Sequence, residues 1–279
     1  KLFINFFSKK VFEKTKNFYS VANKGSKISY RKYLNTLKKY NLKYKITSQK
    51  FEEISNLLLT NEKILNYFKF KKILKKKLKA SNINLLLNRE FKKHDIQKYD
   101  KIIVCCYAAN NKIINYLSAK KIKKKNRYEL VEKILVKLPK KYKKNSYVVI
   151  DGKFVCIDPY LGTKYHLLSD VKYSKVEVVK KKLPIFKSSK KKYLNGKIHK
   201  NIKRSNFHNF IKHSSSYLPF LKNAKFVGSM FVVRTLKENV ENTDERTGDI
   251  KFIDKKLISV FSGKWNTCVY VANKLERLL

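Results

Sequence analysis

Apolar residues recur along the whole chain, but their period changes from segment to segment. Around residues 31–94 it is helical. Thr47 and Ser48 can cap a helix whose first turn carries Glu52 and Glu53, acids that suit the positive end of a helix dipole. Phe51, Ile54, Leu57 and Leu58 then share one face. A second helix is predicted over Lys63 to Lys79, with Ile64, Phe68, Ile73, Leu74 and Leu78 apolar. Beyond Tyr99, the positions Ile102, Ile103, Tyr107, Ile113, Ile114 and Leu117 suit two helices broken at Asn110-Asn111. Leu130, Val131, Ile134, Leu135 and Leu138 predict a further short helix over 128–138, which Pro139 stops.

The pattern then turns to period two. Asp151-Gly152 separates two β-branched runs between Tyr147 and Ile157. Such a pair suits a tight hairpin turn needing φ > 0 at both central residues, which sets Ile150 opposite Lys153 and Val148 opposite Val155. Lys175 to Val179, Phe226 to Val233 and Lys256 to Phe261 are further strand candidates. Residues 180–214, rich in Lys, Ser and Asn, lack periodicity and are expected to form a basic linker or arm. The acids Glu238, Glu241, Asp244, Glu245 and Asp249 gather in one loop, which suits a solvent or protein contact.

Charge changes the picture. The 279 residues carry a formal net charge of +47, and only seven of the 67 basic side chains are Arg. A field of that size calls for a polyanion beside the protein. Lys, a flexible point charge, suits phosphate contacts more than bidentate base reading. The longest uncharged apolar stretch, Ile102 to Ala109, is far short of a membrane span, and the basic residues are spread through the chain, so a membrane partner is not expected. The abundance of Lys, Asn, Ile, Tyr and Phe suits an AT-rich genome, mitochondrial or, alternatively, plastid, and composition alone does not separate these from an AT-rich nuclear genome.

Chemistry-bearing patterns are scarce. Cys105, Cys106, Cys156 and Cys268 form no C-x-x-C pair, and His199, His208 and His213 share their window with no acid or Cys, so no metal site is expected. No phosphate-cradling Gly loop, nucleophile–base pattern or paired-carboxylate motif occurs, so neither a cofactor nor catalysis is implied.

Several segments nonetheless follow a known order. Leu42 to Phe51 forms a basic stretch entering a helix. Tyr99-Asp100 precedes an apolar run to Ala109, Asn110-Asn111-Lys112 opens a basic helix ending at Lys120, Lys121 and Ile122, and Val148 to Val155 forms a hairpin followed by Asp158-Pro159-Tyr160. Ser216-Tyr217-Leu218, Phe226-Val227-Gly228, Gly248-Asp249-Ile250 and Lys256 to Ser262 follow. In this order the chain resembles the fourth small-subunit ribosomal protein family, in a mitochondrial or organellar form. Tyr99 stands for that family's Leu and Asn110-Asn111 for its Ser-Arg.

The resemblance implies an α+β fold: a helical domain plus a small helix–hairpin RNA-binding module, with C-terminal strands returning to its sheet. Its expected divisions are a basic arm (1–26), the helical domain (27–94), the module (95–180, with an insertion at 123–146), the linker (181–215) and C-terminal strands and tail (216–279). It implies a non-enzymatic constituent of the small ribosomal subunit. Ribosomal RNA and neighbouring ribosomal proteins would be its partners, with no small-molecule substrate. Another organellar ribosomal protein, or a non-ribosomal RNA-processing factor, is the alternative. The candidate RNA contacts are Lys43, Lys45, Lys98, Asn110, Asn111, Lys112, Lys120, Lys121, Lys123, Lys124, Lys141, Lys143, Lys144, Lys153, Lys190 and Lys191, with Tyr160 as a base-stacking platform.

Overall fold

The computed structural model describes residues 2–123, 125–238 and 248–279. The chain opens with α1 (Leu2–Phe7), β1 (Phe12–Glu13) and β2 (Lys16–Val21). Then come α2 (Tyr30–Lys39), β3 (Tyr44–Ile46), β4 (Leu58–Thr60), β5 (Ile64–Leu65) and the basic helix α3 (Tyr67–Ala80). A strand–turn–helix unit follows, β6 (Ile102–Val104) with α4 (Asn110–Leu117). The central run is β7 (Asn126–Lys137), β8 (Asn145–Ile150), β9 (Val155–Pro159), β10 (His166–Asp170) and β11 (Lys175–Lys181). After α5 (Phe207–Tyr217), β12 (Lys225–Lys237) and β13 (Asp249–Phe252) comes a second strand–turn–helix unit, β14 (Leu257–Phe261) with α6 (Cys268–Glu276).

The long strand β7 organises a nine-stranded sheet. β12 pairs antiparallel along one of its edges, from Lys225 opposite Lys137 to Lys237 opposite Asn126. Its other edge is divided between β10 and β11. From β10 the sheet continues through β9, β8, β2, β4 and β3, with β2 and β8 parallel. One face is apolar: Phe18, Tyr147, Ile157, Leu168, Ile134 and Val136 pack beneath Phe210 of α5 and the following Leu218 and Leu221. Each such buried side chain stabilises the fold by about 1.5–3 kcal/mol relative to exposure.

β7 corrects the helix expected at 128–138. Its apolar positions are buried on both faces of the sheet, and a strand buried on both faces reads as a continuous run with no period of two. Helical spacing also misleads at 51–58, where Ile54, Leu57 and Leu58 enter the core from irregular chain and β4, and at 102–104, which is strand β6. The 63–79 helix does form, as α3, capped by the Asn66 side chain accepting from Lys69 N at 3.1 Å. The Asp151-Gly152 hairpin forms with a longer loop. Tyr147 faces Ile157 and Val148 faces Cys156, one residue off the tight-turn register. The longer loop lets Phe154 turn into the core (5% exposed) and lets the Ser26 hydroxyl accept from Asp151 N at 3.0 Å. The expected 180–214 linker ends early, because α5 begins at Phe207.

A smaller sheet, in the order β13–β14–β6, packs beside the first, with β14 parallel to β6 from Leu257 opposite Ile102 to Ser259 opposite Val104. A nine-stranded mixed sheet with a second, partly parallel sheet replaces the expected helical domain and small helix–hairpin module. Of the loop 237–249, residues 239–247 lie outside the described residues.

Candidate functional site

Two parallel strands, each followed by a turn and a helix, place two turns side by side at one end of a sheet. Such strand ends are where open α/β sheets hold ligands. Here β6 leads through Cys105-Cys106-Tyr107 to α4, and β14 leads through Ser262-Gly263-Lys264 to α6. A cleft of ≈ 1190 Å³ opens beside them, lined by Tyr107, Lys264, Trp265 and Tyr270 together with Phe3 of α1 and Glu62. Its volume exceeds what a drug-sized ligand needs.

Local hydrogen bonds fix the β14–α6 turn. The Ser262 and Thr267 hydroxyls lie 2.9 Å apart, and both donate to Lys264 O, at 2.7 and 2.6 Å. Thr267 therefore does not cap α6. Trp265 packs edge-on against Phe3 at 4.8 Å, while half of its surface stays exposed.

The polar face of the large sheet, though not part of the cleft lining, forms a second wall behind Glu62. Alternation puts Phe18, Tyr147 and Ile157 into the core and turns Asn17, Tyr19, Ser146, Cys156 and Asp158 to the opposite face. The row continues across β10 and β7, where Lys133 Nζ donates to Ser169 Oγ at 2.8 Å. Asp158 accepts from Ser146 Oγ at 2.6 Å and from the Cys156 thiol at 3.1 Å. Burial, reinforced by the Asp158 charge, pushes the Cys156 thiol well up, so it stays protonated.

Glu62 joins the two walls. Tyr19 Oη donates to its carboxylate, and Asn17 Nδ2 donates to its backbone oxygen at 2.5 Å. Its pKa is raised, first by desolvation and then by Asp158, against the opposing pull of Lys264. A carboxyl so placed, with its affinity for a proton raised, suits proton transfer.

No family model matches the chain, and no curated protein sequence matches it. Solved structures do. The chain superposes on L-proline dehydrogenase from P. horikoshii with TM-score 0.62 and 11% identity, over 97% of this chain and 74% of that one. For glycine oxidase from Geobacillus kaustophilus the values are 0.59 and 8%, over 96% and 72%. For L-alpha-glycerophosphate oxidase from Mycoplasma pneumoniae, reduced and with FAD bound, they are 0.63 and 12%, over 100% and 77%.

The chain shares the fold of these solved dehydrogenase and oxidase structures.

This overturns the resemblance to the fourth small-subunit ribosomal protein, which rested on generic pieces: a basic helix, an Asp-Gly hairpin and their order. The non-enzymatic ribosomal constituent, its ribosomal-RNA partner and the absence of a small-molecule substrate fall with it, as does the RNA-processing alternative. The neighbours are dehydrogenases and oxidases of small molecules over nearly the whole of this chain.

The residues proposed for RNA do not form one strip. Asn110 and Asn111 are buried and hold the fold, donating to Val260 O at 2.8 Å and Lys182 O at 2.9 Å. Lys98 pairs with Asp95, and Lys121 Nζ caps the carboxyl end of α4 by donating to Asn115 O and Ser118 O. Tyr160 is half-buried against Phe68, 5.6 Å between ring centroids. Lys43 precedes β3 and Lys45 lies within it; Lys112 lies within α4, and Lys120 and Lys123 follow it. Lys141, Lys143 and Lys144 lie before β8, Lys153 in its hairpin, and Lys190 and Lys191 in a turn after β11. All of these except the half-buried Lys190 are exposed, and Lys124 lies outside the described residues.

The sequence reading missed Glu62, Asp158, Lys264 and Trp265. For Lys264 and Trp265 the signal is the repeated strand–turn–helix pattern at 102–117 and 257–276; Glu62 and Asp158 lie outside it and carried no local signal.

A flavin ring suits the cleft. Aromatic rings at Trp265 and Tyr270 are exposed to take a flat ring, and Lys264 supplies positive charge for its polar edge. The glycines, at 25, 152, 162, 196, 228, 248 and 263, form no G-x-G-x-x-G loop to receive a pyrophosphate.

Proposed function

We propose that this chain acts in flavin-dependent oxidation of a small polar molecule. The flavin ring would sit in the Trp265 cleft, with the substrate between the ring and the polar face of the large sheet. The observation that carries this reading is the position of Glu62, which borders the cleft and is within electrostatic reach of both Asp158 and Lys264. The oxidoreductase fold of the neighbours supports it, and their substrates, amino acids and glycerophosphate by name, set the first compounds to try.

When bound, the ring supplies a two-electron acceptor. The chain's own groups do the remainder. Glu62 takes the proton that leaves the substrate hydroxyl or ammonium, and its raised pKa matches that task. Tyr19 holds the Glu62 carboxylate by its hydroxyl. Ser169 and Lys133 present a hydroxyl and an ammonium to the polar end of the substrate. Phe3, packed edge-on against Trp265, holds that ring in place along the cleft.

The test is anaerobic reduction. Purified chain with added flavin is mixed with L-proline, glycine or glycerophosphate, and the flavin absorbance is followed. Bleaching by one compound, lost in Glu62→Gln at unchanged flavin binding, is expected. No bleaching by any amine or alcohol, although flavin is bound, would overturn the proposed oxidation.

A further inference from the structure

From Lys63 to Arg89 the chain holds eight Lys, one Arg and no acid. Most of this stretch is α3, which is two-sided. Phe70, Ile73 and Leu74 face inward against Phe3, Phe7 and Val11. Lys71, Lys72, Lys75, Lys76 and Lys79 are exposed. Lys69, on the same helix, is neutralised by Glu13 at 3.0 Å.

The segment after the helix departs from how a soluble surface is built. Every residue from Lys79 to Glu90 is exposed, and four of them are large and aliphatic: Ile83 at 55%, Leu85 at 53%, Leu86 at 48% and Leu87 at 71%. Single exposed leucines are ordinary, but three in a row beside a fourth aliphatic residue form a patch that water does not favour. The segment is also held. Just after it, Asp95 accepts from Lys92 N at 3.0 Å and from Lys98 Nζ at 2.9 Å, and lies 3.3 Å from Arg89 Nη2. That clasp anchors the chain just after the leucine loop, which itself begins three residues beyond the end of α3.

We propose that α3 and the 83–87 loop form a docking surface for an anionic lipid membrane. The loop leucines enter the acyl boundary, and the exposed lysines of α3 meet the phosphate headgroups. The juxtaposition selects the partner. RNA or any other soluble polyanion rewards the lysines but leaves the leucines in water, whereas an anionic bilayer rewards both. No described helix is long and apolar enough to cross a membrane, so the chain lies on the surface through this region. The inference is independent of the flavin reading.

The test is flotation of the full chain with vesicles of phosphatidylcholine alone and of phosphatidylcholine mixed with phosphatidylglycerol, at physiological salt. A chain of this charge adheres to any anionic surface, so the decisive comparison is with the triple variant Leu85→Ser, Leu86→Ser, Leu87→Ser. These side chains are exposed, and far-ultraviolet circular dichroism checks that the variant is folded. Wild type should float with the phosphatidylglycerol vesicles and the variant should partition at least about tenfold less. Charge reversal at Lys72, Lys75 and Lys76 should abolish the preference for phosphatidylglycerol. Equal flotation of wild type and the leucine variant overturns the proposal, as does complete release of wild type from vesicles by added duplex RNA. Either result reduces the surface to a general polyanion site.

Discussion

The Tyr107 ring lies parallel to that of Phe261, with centroids 5.3 Å apart and planes 7° from parallel. Tyr107 follows β6 and Phe261 ends β14, so the stack clamps the two turns that frame the cleft. The Tyr107 hydroxyl extends the clamp to the large sheet by accepting from Thr235 N at 3.1 Å. Tyr107 also carries a positive φ of 49°, a conformation that a bulky side chain rarely adopts and that the surrounding contacts must hold. Tyr107→Phe keeps the stack and removes the hydrogen bond, and should lower stability by about 1 kcal/mol in urea unfolding. Tyr107→Ala should cost more, about 1–3 kcal/mol, by removing the stack as well.

Glu129 is buried on β7, 2.7 Å from Arg127, 3.6 Å from Arg234 and 3.7 Å from Lys175. Three cations share this one carboxylate, so removing its charge leaves them facing each other in the sheet. Glu129→Gln is expected to destabilise the fold by about 3–5 kcal/mol, read as a fall in the urea midpoint. The single replacement Lys175→Met, at the cluster's more exposed edge, should cost far less.

The raised pKa of Glu62 has a definite sign. A carboxyl that binds its proton more tightly when folded favours the folded state at low pH. That contribution is lost as pH rises through the folded value. Relative to wild type, Glu62→Gln should therefore gain stability as pH is raised from about 4 toward neutrality. Thermal unfolding across that range checks it, and a variant penalty that grows with pH would show that the carboxylate is stabilised by Lys264 instead.

Asp95 behaves in the opposite sense. Hydrogen bonds from Lys98 and the Lys92 backbone hold its pKa at about 2. The clasp should be intact above the ordinary carboxylate range and lost as pH falls through about 2. Amide exchange at residues 89–98, measured across that fall, should accelerate, and Asp95→Asn should show fast exchange already at neutral pH.

Some of the fold was legible in the chain. α3 followed from its spacing, although it begins at Tyr67 and not at Lys63, and β11, β12 and β14 followed from β-branched runs. The 128–138 error shows the limit. Val131, Ile134 and Leu135 sit in the middle of a wide sheet, where both faces are buried and periodicity carries no information. The site was less legible, because its parts come from distant segments. Glu62, Asp158 and Lys264 meet only through the pairing of β2 with β8 and of β6 with β14. The charge misled most. Sixty Lys dominate any reading of the sequence, yet few of them lie at the cleft.

Trp265 is the only tryptophan in the chain, and it lines the cleft. Its fluorescence therefore reports directly on a ring bound there. Riboflavin is the probe of choice, since it carries the ring without the phosphates that would adhere to a chain of charge +47. Titration should give saturable quenching of Trp265 emission, with riboflavin and FAD binding within about tenfold of each other, because the chain offers a ring site and no glycine cradle. If riboflavin leaves the emission unchanged, and FAD quenches only at low salt, the cleft is not a flavin site and the proposed function is wrong.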